Sequence, residues 1–379
     1  MGSCQELYNR LSKTIFATLE VSNRKQLMNW IWIVVGLLLG NSPALSQIAT
    51  HLPMRTEAES RVTLVRRWLK NFRVEVWEFY QPILAQVLTG WRAVEAYLIL
   101  DGMMVFGDRW QIFRLSLQHG CRAIPLAWVV LEGTGICQVE RLAEILSRAA
   151  QFLRKRVKQV TFLADRGFRD WDWAKLCLKL GWNYVIRVTG NTRVTLKDGR
   201  TLRIDRLGVP PRQRRYYQNI LLTPAGKWPT HLSVGWTDGD EKNPPELVAV
   251  ISNQCACRAR LGEYKRRMSV EQSFRDDKSG GFDISHTRLQ HADRIERLLL
   301  AMAVATLWCH ELGEHVLAQG ETARRQIDPG PRRELSLFQL GLRWLKRSLS
   351  TANHVLPVFL AHLTNLRLKP VTKPSVCIL

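Results

Sequence analysis

Residues 1 to about 90 carry a helical pattern of apolar positions. Residues 27–39 are almost continuously apolar and stop at Gly40, which predicts one buried helix. Ser46 stands where it can cap a short helix through Ile48 and Ala49. Residues 59–71 are amphipathic: Val62, Val65 and Leu69 form one stripe, and Arg61, Arg66, Arg67 and Lys70 lie off it.

The pattern changes near Trp91. Residues 96–106 form an apolar strand interrupted by Asp101, residues 111–118 alternate, and residues 123–131 are again apolar. Turns at Gly107-Asp108 and His119-Gly120 join these runs into an antiparallel meander. Residues 139–157 are helical, with Leu142, Ile145, Leu146, Ala149 and Leu153 on one face. A short strand at 160–164 ends at Asp165, a helix follows at 171–180, and a further strand at 184–188. Three antiparallel strands followed by helix, strand, helix and strand give the order of a ribonuclease-H-like α/β core.

Residues 191–254 break that order with turn dipeptides, prolines and short alternating runs, which predicts a β-rich insertion. Helical pattern returns from Arg258 to about Lys278 and again over 292–318. A loop at 322–333, with Pro329-Gly330-Pro331 and four arginines, precedes a last basic helical segment. The expected organisation is therefore a helical N-terminal region (1–90), a core in two parts (91–190 and 255–320) split by the insertion (191–254), and a C-terminal basic segment (321–379).

Charge narrows the function. Among 379 residues, 55 Lys and Arg face 33 Asp and Glu, for a formal net charge of +22. Such an excess points to a polyanionic partner. The most apolar run, 28–40, is shorter than the roughly 20 residues that span a bilayer, and it lacks the flanks of a signal peptide. Eight scattered cysteines argue against a disulfide framework and for a reducing compartment, most simply the cytoplasm. Cys255 and Cys257 read as buried thiols. Two short helices followed by a basic one, bearing Arg66 and Arg67, suggest a helix-turn-helix-like DNA reader as readily as a solvated helix face.

Two carboxylates stand in apolar strands: Asp101 in Tyr-Leu-Ile-Leu-Asp-Gly, and Asp165 in Val-Thr-Phe-Leu-Ala-Asp-Arg-Gly. Buried unpaired carboxylates are unfavourable, and two side by side repel unless a cation lies between them. Hard oxygen donors suit Mg²⁺. In the expected strand order the first and fourth strands are neighbours, so both side chains reach one site. Tyr264, Arg267, Glu271 and Lys278 follow as Y-x2-R-x3-E-x6-K. At about 100° per residue Tyr264, Arg267 and Lys278 share one stripe with Glu271 and Arg275, while Val270 and Phe274 face elsewhere. Glu271 is then a candidate ligand and the cations candidate phosphate clamps.

These residues resemble the DDE transposases of bacterial insertion sequences, in the insertion-sequence-four group with the YREK signature. The likeness runs from about Tyr97 to Lys278. It rests most on the run from Tyr264 to Lys278 and on Asp165-Arg-Gly-Phe168. The resemblance implies that Asp101, Asp165 and Glu271 hold two Mg²⁺ ions, with Mn²⁺ able to substitute. It implies cut-and-paste transposition by phosphoryl transfer: end cleavage, a hairpin intermediate and strand transfer. Tyr264, Arg267, Arg275 and Lys278 would contact DNA, and Trp236 or Trp228 would stack on a flipped base. The implied partners are duplex DNA, as terminal inverted repeats and target, and a second copy of the chain in the synaptic complex, with 321–379 available for dimerisation. No membrane is implied; the setting is the bacterial cytoplasm, at the nucleoid when DNA is bound. A catalytically silent DNA-binding protein and a structure-selective nuclease on the same fold are the alternatives. Inverted repeats flanking the coding region would separate them from a transposase.

Overall fold

A computed structural model describes residues 2–20, 23–89, 91–120, 122–134, 139–222, 228–239 and 244–351. The first ninety or so positions are all-helical: α1 (Gly2–Thr18), α2 (Arg24–Gly40), α3 (Leu45–Thr50), α4 (Ala58–Lys70) and α5 (Val76–Val87). Asn23 caps α2 by accepting from the Gln26 amide, and Asn41 in a left-handed conformation ends it. Helix α3 starts earlier than Ser46 predicted. Ala44 is its N-cap, without a side-chain bond, while the Ser42 hydroxyl accepts from the Ala44 amide. Gly36 lets α3 approach α2: a Cβ there would lie 2.5 Å from the Ile48 carbonyl oxygen.

Helix α4 buries Val65, Trp68 and Leu69, and the Trp68 indole donates to the Gln26 carbonyl at 3.0 Å. Arg61, expected on a basic outer face, turns inward instead. Its guanidinium donates to the carbonyls of Ala49, Met54 and Thr56, satisfying the chain between α3 and α4.

One mixed sheet of ten strands follows: β1 (Ala93–Val105), β2 (Trp110–His119), β3 (Arg122–Glu132), β4 (Val157–Ala164), β5 (Asn183–Val188), β6 (Arg193–Thr195), β7 (Thr201–Arg203), β8 (Arg214–Leu222), β9 (Trp228–Trp236) and β10 (Leu247–Ser252). Their order is β3-β2-β1-β4-β5-β10-β9-β8-β6-β7. The first three strands are an antiparallel meander; β4 and β5 run parallel to β1. Helices α6 (Val139–Leu153) and α7 (Trp171–Lys179) make the connections to β4 and β5. Strand β10 returns antiparallel to β5, so the strands of 191–254 continue the same hydrogen-bonded sheet.

The helical pattern from Arg258 breaks into α8 (Arg258–Lys265) and α9 (Met268–Asp277), a departure from the single helix expected. Between them the amides of Arg266, Arg267, Ser269 and Val270 bond three residues back rather than four, which tightens the turn. Helix α10 (Ala292–Ala318) is buried along most of its length. The expected loop at 322–333 contains α11 (Glu321–Arg325). Its Arg324 is buried, donating to the carbonyls of Asp328 and Gly330. Helix α12 (Leu337–Ser350) crosses α10 at Gly341, where a Cβ would lie 1.8 Å from the Cys309 carbonyl oxygen. The rest of the C-terminal segment, 352–379, lies outside the described residues.

Helix α10 also joins the N-terminal helices to the sheet. Arg297 is buried and donates to the carbonyls of Leu69 and Val74. The Glu296 carboxylate accepts from the Val130 amide on edge strand β3, and its carbonyl accepts from the Trp128 indole. Among the described residues no helix is long and apolar enough to cross a membrane. Cys177 and Cys309 are buried, but Cys255 is exposed and Cys257 half-buried, contrary to the reading of that pair as core thiols.

Candidate active site

The parallel pairing of β1 and β4 sets Leu100 opposite Ala164, so Asp101 and Asp165 follow at neighbouring register positions. In-register residues of parallel strands face the same side of a sheet. Asp101 is buried, and its Oδ1 accepts from the Gly102 amide at 2.8 Å. Asp165 is half-buried and caps a 3-10 turn, its Oδ1 accepting from the Gly167 amide at 2.7 Å. A strand that ends in Asp-x-Gly closes into such a turn because the carboxylate satisfies an amide the ladder no longer reaches.

The break between α8 and α9 brings the helical part of the site over the same strands. Helix α8 packs on β4, β5, β9 and β10; α9 packs on β1, β2 and β3. Arg267, at the N-cap of α9, thus stands where β1 meets β4. Its guanidinium donates from Nη1 to Asp101 Oδ2 at 2.5 Å and from Nη2 to Glu271 Oε1. The cation lies 5.9 Å from the ring centroid of the buried Tyr264. Burial pushes the Asp101 carboxyl up to about 6; Asp165 and Glu271 add to the rise, and Arg267 and the Gly102 amide oppose it. Burial alone would lower Arg267, but the carboxylate of Asp101, then Tyr264, Glu271 and Asp165, hold it above its ordinary value.

Asp101, Asp165, Tyr264, Arg267 and Glu271 therefore converge on one locus. Arg275 and Lys278 are exposed and make no ion pair with Glu271; Arg275 shares α9 with Glu271, whereas Lys278 lies past the end of that helix at Asp277. Lys278 lines a cleft with the β1–β2 hairpin tip, Phe106-Gly107-Asp108, and with Asp283–Ser285. All three tip residues have positive φ, a strained state for Phe106. Trp236 is half-buried and donates to the Val209 carbonyl at 3.0 Å; Trp228 packs at 5.7 Å against Trp171. Arg66 and Arg67 are exposed on α4, Arg66 lying 3.3 Å from Glu59.

The sequence reading missed the residues that hold α9 in place. Arg114 on β2, opposite Asp101 in the register, pairs with Asp277 at 2.5 Å and lies over Phe274 at 5.1 Å. Ser273 bonds the Ala123 backbone on β3. A signal existed in an arginine amid the apolar run Ile-Phe-Arg-Leu.

The carboxylate donors suit a hard divalent cation. Among the described residues, however, no group of three or more His, Cys, Asp or Glu side chains is arranged to hold one ion. The Arg267 guanidinium supplies the positive charge between Asp101 and Glu271 in this arrangement. The donor chemistry therefore fits, in a site closed on an arginine.

Residues 138–308 match the family described as Transposase DDE domain. Over those residues the chain is similar to a transposase DDE domain. The match includes Asp165, Tyr264, Arg267, Glu271 and Lys278; Asp101 precedes it. The fold is similar to that of a piggyBac transposase in a synaptic complex with hairpin DNA, at 11% identity and TM-score 0.46, over 98% of this chain and 80% of that one. The chain also aligns with Marinitoga piezophila Argonaute in complex with 5′ OH guide RNA and target DNA, at 10% identity and TM-score 0.22, over 66% of this chain and 35% of that one. No curated protein matches the chain in sequence.

Proposed function

We propose that the chain is a cut-and-paste transposase of the insertion-sequence-four type, with a ribonuclease-H-like core and Asp101, Asp165 and Glu271 as its essential carboxylates. The observation that carries this reading is the convergence of the three side chains from β1, the end of β4 and α9, with Arg267 joining Asp101 to Glu271. The strand order β3-β2-β1-β4-β5 supports the core.

Asp101, Asp165 and Glu271 would hold two Mg²⁺ ions, or Mn²⁺ in their place. The ions would activate the attacking oxygen and stabilise the leaving one. Asp101 and Asp165 fix the position of the site because rigid strands carry them. Tyr264 buttresses Arg267, whose two-pronged donor geometry suits a phosphate as well as a carboxylate. Lys278 and Arg275, exposed beside the site, suit more distant phosphates as point charges. The same chemistry would run four times at each end: water cuts one strand, the freed 3′-hydroxyl attacks the opposite strand to make a hairpin, water reopens the hairpin, and the 3′-hydroxyl joins target DNA.

The exposed Arg66 and Arg67 support residues 1–90 as the part that reads the terminal repeats. Residues 191–254 are then an insertion supplying Trp236 to a flipped base, and 321–379 a dimerisation segment in a synaptic homodimer. The working place is the bacterial cytoplasm, on nucleoid DNA.

The test is cleavage of duplex DNA bearing the element's flanking repeats, in Mg²⁺, by wild type and by Asp101→Asn, Asp165→Asn and Glu271→Gln. Loss of cutting by all three, with end binding retained, is the expected result. Normal cutting by any one removes that residue from the essential set.

A further inference from the structure

We infer that Arg267 is a built-in counterion of the site: its guanidinium competes with a divalent cation for Asp101 and Glu271, and DNA phosphate draws it away. This rests on the reading of Asp101, Asp165 and Glu271 as the metal-holding set.

Geometry comes first. One guanidinium spans two carboxylates from elements far apart in sequence, Nη1 on Asp101 Oδ2 and Nη2 on Glu271 Oε1. The side chains of Arg267 and Asp101 are only 14% and 12% exposed, so each charge needs a partner whenever the site lacks an ion. A guanidinium and a cation on the same carboxylates compete, through shared lone pairs and like charge. Asp165 takes no part in the bridge, its Oδ1 being held by the Gly167 amide. It remains the carboxylate by which a cation can enter.

A second observation points to where the arginine goes. Arg267 Nε is buried and has no hydrogen-bond partner among the described residues. Arg114 Nε is likewise buried without a partner, so the open donor marks spare capacity in the seat and does not by itself assign a role. The seat uses Nη1 and Nη2 and leaves Nε open. A phosphate oxygen has the right charge and can take Nε together with an Nη in a two-pronged contact. By linkage, metal and arginine weaken each other on the carboxylates. DNA that draws the arginine away must then tighten the metal by the same factor.

The experiment titrates Mn²⁺ into the full chain by calorimetry, without DNA and with a duplex transposon end. Without DNA, Arg267→Ala should bind Mn²⁺ about tenfold tighter than wild type. With DNA, wild type should gain most of that factor and Arg267→Ala little. Unchanged or weaker Mn²⁺ binding by Arg267→Ala without DNA would overturn the inference. Asp101→Asn and Asp165→Asn serve as controls. If they leave Mn²⁺ binding intact, the metal-site reading itself fails. If they abolish it while Arg267→Ala changes nothing, only the role given to Arg267 fails. Should Arg267→Ala not fold, the wild-type Arg267 Nε–H resonance decides: Mg²⁺ should shift it, and an unmoved resonance at saturation rejects the displacement.

Discussion

Arg114 and Asp277 form an ion pair sealed from solvent, 2.5 Å apart with side chains 6% and 5% exposed. Arg114 is the cross-strand neighbour of Asp101, yet it reaches for the last residue of α9 instead. The pair thereby pins the helix that carries Glu271 to the strand beside the one that carries Asp101.

Removing one member should leave a buried charge alone. Arg114→Ala is expected to lose about 3–5 kcal/mol of stability, read as a lower denaturant midpoint. Arg114→Met with Asp277→Leu should recover much of it, because no charge is then stranded. A single variant as stable as wild type would show that the pair is dispensable.

Lys278 gives the opposite expectation. It is exposed just past α9 and makes no ion pair among the described residues, so Lys278→Ala should keep stability within about 0.5 kcal/mol. Single-turnover cleavage should nonetheless slow, and Lys278→Arg should restore part of the rate because the charge survives. Wild-type rates from Lys278→Ala would return the residue to the solvated surface.

Stability should fall as pH rises across the mildly acidic range. Burial pushes Glu263 from 4.5 up to about 7, against the pull of Arg260, and pushes Asp276 from 3.8 up to about 6. Between the unfolded and folded values the folded chain binds more protons, so ionisation with rising pH favours unfolding. Glu263→Gln cannot ionise and should flatten the decline between about pH 5 and 7. Parallel midpoint-against-pH curves for the two proteins would rule this out.

The crossing of α10 and α12 depends on Gly341. Gly341→Ala places a methyl group against the Cys309 carbonyl and should cost about 1–3 kcal/mol of stability. Thermal unfolding at wild-type temperature would mean that α12 shifts without penalty.

DNA affinity should fall steeply with salt, given the net charge of +22. Arg66→Ala and Arg67→Ala should each lower the slope of log affinity against log salt by about 1 if both contact phosphate. Arg61→Ala should instead destabilise the chain between α3 and α4, since that side chain faces inward. An unchanged slope in the Arg66 and Arg67 variants would move the DNA surface elsewhere.

Much of this was legible in the sequence. The strand bearing Asp101, the strand ending at Asp165 and helix α10 follow from apolar runs long enough to hold their period. The break before Met268 left no such mark. Arg266 and Arg267 keep right-handed helical dihedrals, and only the hydrogen-bond spacing tightens, so no glycine or proline announces it. Arg61 and Arg324 escaped for a related reason. An arginine off an apolar stripe, as Arg61, or in a polar loop, as Arg324, is assigned to solvent by pattern, whereas these two fold back to backbone carbonyls. Three-dimensional proximity, as between Arg114 and Asp277, has no periodicity to read.

The return of β10 alongside β5 has a consequence for anyone trimming the chain. Asn183–Val188 is sheltered on one flank by β4 and on the other by β10. Excising the strands from Arg193 to Ser252 would leave the amides and carbonyls along that second flank naked. The shortened protein should then self-associate strand to strand, so that insolubility of such a deletion would report an unprotected sheet margin, and say nothing about whether the excised strands touch DNA.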